Sequence, residues 1–77
     1  MIDRNALRFL KEAFPKGTRV RLLKMEDPQA PPIGTLGTVN HVDDIGTIHI
    51  NWDNGSGLGA AFGEDVVITV SPKRANA

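Results

Sequence analysis

The sequence predicts a mainly β fold: an N-terminal α-helix followed by five short strands curled into a small, partly open barrel. Three observations predict it. Apolar residues recur at three- and four-residue spacing only as far as Phe14. Pro15 and Gly17 then break that pattern. From Thr18 onward the apolar period is two, the period of a strand with one buried face. The chain has 77 residues, which is room for one domain with a thin core. Too few residues remain for two full sheets, so short strands with frequent turns point to a curled single sheet.

The domain divides into a helix over 1–16, a barrel over 17–71 and a frayed tail over 72–77. Asp3 suits the N-cap, because its carboxylate can accept from the unpaired N–H groups of the first turn. Ile2 and Leu7 stand at the positions of a hydrophobic staple. Ala6, Leu7, Leu10, Ala13 and Phe14 form the apolar stripe, which Phe9 widens. A helix this short is marginal alone, so the stripe must dock on the barrel or on a second copy of the chain.

The first strand is Thr18-Arg19-Val20-Arg21-Leu22-Leu23, with Val20 and Leu22 inward and Arg19 and Arg21 outward. Residues 26–34 hold three of the five prolines, so they form a long ordered loop rather than a ladder strand. The second strand runs from Leu36 to Val42. Asp43-Asp44-Ile45-Gly46 turns the chain into the third, Thr47 to Trp52, where Ile48, Ile50 and Trp52 share a face. Asp53-Asn54-Gly55-Ser56 is a hairpin signal. The fourth strand is read over Gly57 to Phe62 and the fifth over Val66 to Val70, separated by a tight turn at Gly63-Glu64-Asp65.

Composition limits the function. There is no cysteine, so disulfides and thiolate metal sites are excluded. The start of the chain lacks the apolar core of a signal peptide, and the run Val66-Val67-Ile68 is too short to cross a bilayer. A cytoplasmic protein is expected. Net charge is zero, yet the signs are segregated. Residues 1–24 carry seven basic side chains against Asp3 and Glu12, whereas residues 25–72 carry seven acidic ones and neither Lys nor Arg. The basic third either faces an anionic partner or meets the acidic part within the fold or between subunits.

Three stretches carry a resemblance. Gly17-Thr18-Arg19-Val20-Arg21-Leu22 followed by Gly34-Thr35-Leu36-Gly37-Thr38-Val39 resembles the opening of SH3-like barrels. Ile48-His49-Ile50-Asn51-Trp52-Asp53-Asn54-Gly55-Ser56 resembles a hairpin found in several of them, including the mind-bomb/HERC2 domain. Phe14 to Val70 as a whole resembles the domain of unknown function 4314 family, through Phe14 to Val20, Met25 to Pro32 and Val42 to Ser56. That resemblance implies a small five-stranded SH3-like barrel with an N-terminal helix, in phages and Gram-positive bacteria. It implies no activity.

Catalytic chemistry finds little support. Asp43, Asp44 and Asp53 lack calcium-loop spacing and read as turn formers. His41 and His49 fall in neighbouring strands, but spacing supplies no third metal ligand and no nucleophile to pair with either. Gly34 and Gly37 lack the Lys and the following helix of a phosphate loop, and read as bend-permitting glycines. No enzyme, cofactor or metal is therefore expected.

The binding candidates are Arg19, Arg21, Lys24, Pro31, Pro32, His49, Trp52 and Asn54. Arg19 and Arg21 form an outward basic row suited to phosphate or carboxylate, which Lys24 extends. Trp52 is a core residue or else a partner anchor. Phe9, Phe14, Phe62 and Trp52 are the only aromatics and most of them read as buried, which weakens a nucleic-acid role. The expected function is a non-enzymatic, phage-encoded binding module, oligomeric, holding a host protein through the proline-rich loop and the face near Arg19, Arg21 and Asn54. The alternatives are an anti-defence sponge taking an anionic nucleotide between subunits, and a nucleic-acid-binding accessory protein.

Overall fold

The computed structural model describes residues 2–70. The expected tail over 72–77 lies outside them. Helix α1 spans Arg4–Ala13, shorter than the expected 1–16. Asp3 caps it, its carboxylate accepting from the Ala6 N–H at 2.8 Å. At the other end Pro15 disfavours helical geometry at Phe14, which sits at φ −126° and ψ 62°. Leu10 is the buried residue of α1, and Ile2, Leu7 and Phe14 pack against the same core. The helix therefore docks on its own barrel.

Five antiparallel strands follow: β1 (Arg19–Lys24), β2 (Leu36–Val42), β3 (Thr47–Trp52), β4 (Ala60–Ala61) and β5 (Val66–Thr69). They form one sheet in the order β4-β3-β2-β1-β5. This is the expected mainly β, SH3-like arrangement behind a helix, left open between β4 and β5. The core is Val20, Leu22, Met25, Val39, Val42, Ile48, Ile50, Trp52 and Ala60, with Leu10 from the helix.

Curvature comes from two bulges with one pattern. In β1, Val20 and Leu22 point in, Leu23 and Lys24 both face out, and Met25 returns to the core. In β2, Gly37 and Val39 point in, Asn40 and His41 both face out, and Val42 returns. The registers slip at those places, between Leu22 and Lys24 against β5 and between Val39 and His41 against β3. Each extra residue bends its strand, increases its twist and restores the inward phase. Strict alternation would have buried His41 and exposed Val42.

Gly37 lets β2 lie close under β3. A Cβ there would stand 2.6 Å from Ile50 Cγ2 and 2.8 Å from Trp52 Cε3. Its role is close approach, in line with the structural reading of the two glycines. Gly34 serves a turn instead, at φ +96°.

Strand β4 is shorter than the expected Gly57 to Phe62. The Leu58 carbonyl accepts from Trp52 Nε1 at 2.8 Å, which diverts the backbone of that stretch away from a ladder. The proline-rich loop is ordered as expected, but folded inward. Its ends are clamped by Leu22 N–H to the Thr35 carbonyl (2.9 Å) and Gly34 N–H to the Leu22 carbonyl (2.8 Å). Pro31 is buried and Ala30 packs against the core.

Candidate functional site

The anticipated binding residues do not form one surface. Arg19, on the outer face of β1, is held by Asp53 just beyond β3. Its two terminal nitrogens donate to the two carboxylate oxygens at 2.9 and 2.7 Å, and Nη1 also donates to Thr38 Oγ1 at 2.9 Å. The Asp53 hydrogen bond raises the Arg19 pKa, and the same bond holds Asp53 below the usual carboxylate range. This fork joins a basic residue of the first third to an acidic residue of the remainder. Lys11 of α1 makes a second such link, to Asp44 at 2.9 Å. Part of the segregated charge is thus spent inside the fold.

Arg21 and Lys24 are exposed, as are Pro32 and Asn54. The Asn54 side chain accepts from the Ser56 N–H at 3.0 Å and shapes its own turn. Pro31 and Trp52 are corrections to the expected binding set. Pro31 is covered by the loop's inward fold, and Trp52 is 3% exposed with its N–H satisfied by Leu58. Trp52 is a core residue.

His49 belongs to a different cluster. The β2 bulge sets His41 opposite it, with ring centroids 4.3 Å apart and the planes 11° from parallel. His49 Nε2 lies 2.8 Å from Asp43 Oδ2. The other oxygen, Oδ1, accepts from the Thr47 N–H at 2.9 Å and the Ile45 N–H at 3.2 Å. The hydrogen bond to His49 and then that from Thr47 lower the Asp43 pKa, against partial desolvation. The stack turns ring faces, not ring nitrogens, toward each other. Among the described residues no group of three or more His, Cys, Asp or Glu is placed to hold a metal. The cluster fastens the 43–47 turn to β3.

A shallow cavity of about 490 Å³ lies beside Lys24, lined also by Glu26, Asp27, Glu64 and Asp65. Four carboxylates against one ammonium make it a poor receptacle for an anion.

The aromatic residues carry the larger correction. Most of the four aromatics were expected to be buried; Trp52 is, but Phe9 is 70% exposed and Phe62 50%. Phe9 falls off the stripe set by Leu7, Leu10 and Phe14, so it projects past the docked face. Phe62 follows the two-residue β4 and sits where the sheet has already opened. Together with Phe14, Ile48, Val66 and Val67 they line an apolar groove of about 310 Å³ between α1 and the β4–β5 seam. The sequence signal for it was present in the position of Phe9 on the helix. Its assembly with Phe62 depends on where α1 docks.

The seam has two unlike edges. Ala61 turns its backbone away from β3, since its neighbour Phe62 supplies the bond to the Gly46 carbonyl. The Ala61 N–H donates to Asp65 Oδ2 at 2.8 Å. Its carbonyl accepts from the N–H groups of Glu64 (3.1 Å) and Asp65 (2.9 Å). The turn therefore caps the β4 edge, and β4 has nothing left to offer β5.

No helix among the described residues is long and apolar enough to cross a membrane. Comparison with curated proteins and with solved structures finds no match for this chain. The family model described as "Domain of unknown function (DUF4314)" matches residues 3–70, which takes in the helix, all five strands and the groove, and the chain belongs to that family.

Proposed function

We propose that the chain is a non-enzymatic protein-binding module that takes its partner in the aromatic groove between α1 and the β4–β5 seam. The observation that carries this reading is the exposure of Phe9 and Phe62 on one apolar groove of about 310 Å³. Two exposed aromatic rings gathered on one apolar groove, rather than scattered singly, mark a candidate interaction site. Phe side chains are rigid and large, so they anchor a partner at low entropic cost. The groove is at the lower end of the volumes that hold ligands, which suits a side chain or two of a partner protein. In the phage setting that the family resemblance implies, that partner is a host protein.

An anionic nucleotide is less well supported. Arg19 is engaged by Asp53, and the cavity beside Lys24 is ringed by carboxylates.

The test is capture from host lysate by the immobilised protein, with Phe9→Ala/Phe62→Ala and Arg19→Ala/Arg21→Ala compared at equal folded amount. The aromatic double variant is expected to lose the captured protein and the arginine variant to keep it. Capture that survives loss of both phenylalanines overturns the groove as the site.

A further inference from the structure

Strand β5 presents an uncharged backbone edge that no strand among the described residues pairs with. The ladder alternates strictly here. Val70 N–H donates to the Arg19 carbonyl at 2.8 Å, so residues 68 and 70 bond β1 across the register Arg21↔Ile68. The backbone groups of Val67 and Thr69 then point the other way, away from the sheet. Strand β5 ends the strand order, and no strand pairs with that side among the described residues. The obvious neighbour, β4, is capped by Asp65.

Edges are usually guarded by charge, proline or a bulge that twists them away. Val66 to Val70 holds neither a charge nor a proline. The one register slip lies at Val66, before the stretch in question. Val66 is 43% exposed and Ile68 is 44% exposed, so the outer face of this edge is apolar as well.

We propose that this edge pairs with the same edge of a second copy of the chain, antiparallel about a two-fold axis at Ile68. The spacing makes the edge self-complementary. Val67 of one copy meets Thr69 of the other, and Thr69 meets Val67, so each pair can exchange both of its backbone hydrogen bonds. Ile68 then faces its own counterpart in a close, non-hydrogen-bonded pair on the outer face. An isologous joint of this kind closes at two copies rather than growing into a fibre. Because Val66 to Val70 carries no charge, two copies of the edge bring no like charges together across the axis. Val66 and Val67 also line the aromatic groove, so the joint brings two grooves beside it. The proposal stands apart from the identity of the groove's partner.

Light scattering and amide exchange by NMR over a wide concentration series test it, with Ile68→Lys, Ile68→Glu and Thr69→Pro. The wild-type mass is expected to double with concentration, with the Val67 and Thr69 amides gaining protection together. Ile68→Lys and Ile68→Glu each place like charges across the axis and are expected to stay monomeric. Mixed in equal amounts, they are expected to recover the doubled mass. Thr69→Pro removes an edge N–H that serves no bond to β1, so it should leave a folded monomer. Circular dichroism checks each fold. A wild-type monomer at every concentration overturns the proposal. So does a dimer that both lysine and proline variants retain, since its contact would lie elsewhere.

Discussion

The middle of the sheet and its seam are built by different rules. Around β1, β2 and β3, order comes from side chains: Val20, Leu22, Val39 and Ile50 are all but sealed from solvent, and Gly37 admits Trp52 at a distance no other residue would allow. At the β4–β5 seam, order comes from backbone groups and one carboxylate, while Phe62, Val66 and Ile68 remain half-exposed. A thin domain cannot close its sheet everywhere. It packs densely at the centre and leaves apolar surface at the opening, and that is where a partner has something to bind.

The centre is the costlier region to disturb. Gly37→Ala sets a methyl group against Ile50, Trp52 and the Asn51 carbonyl, the last at 3.2 Å. The carbonyl is backbone, so relief requires β2 and β3 to part. We expect a loss of about 3 kcal/mol, read as a fall in the urea midpoint, with Trp52 fluorescence moving toward its solvent-exposed value. A midpoint within error of the wild type would show that the centre is looser than its contacts imply.

The seam breaks more gently. Asp65→Ala leaves the Ala61 N–H to water in place of its acceptor, at an expected cost of about 0.5–1.5 kcal/mol. It also unmasks the β4 edge, so the Ala61 amide should exchange faster than in the wild type. Unchanged exchange there would mean that the carboxylate is not what caps the strand.

Acid sharpens the contrast, because the core carries no charge and the turns do. Asp43 and Asp53 have folded pKa values lowered by His49 and by Arg19 respectively. Groups of this sign contribute stability above their unfolded value of about 3.9, and that contribution is lost as pH falls through the lower folded values. The urea midpoint is therefore expected to drop below about pH 4. Asp43→Asn and Asp53→Asn should each flatten the drop. A midpoint that holds steady into strong acid would remove both turns from the stability of the fold. The smallest effect belongs to Phe9→Ala. With that ring 70% exposed, the thermal midpoint should barely move while partner capture falls. A large loss of stability would make Phe9 a packing residue after all.

Much of the fold is legible in the chain. The stripe from Leu7 to Phe14, the Pro15–Gly17 break and the alternation of Ile48, Ile50 and Trp52 are local patterns, and local patterns determine element type. The site was legible only in part. Nothing local announces that Leu23 and Asn40 are the extra residues of bulges. A bulge is a compromise between two strands, visible only once the register of both is fixed. Arg19 reads as an exposed row until Asp53, distant in sequence, folds beside it. Phe9 and Phe62 are far apart in the chain, and their common groove exists because α1 docks where the sheet stops.

A helix that must dock, five strands, turns at the glycines and the absence of cysteine chemistry can all be read from the chain alone, because each follows from spacing or from residue type. Which apolar residues stay in water and which edge stays open emerge once the elements pack together. Those outcomes depend on the competition of distant groups for the same hydrogen bonds and the same small core, and the Asp65 carboxylate reaching Ala61 before β5 can is one such outcome.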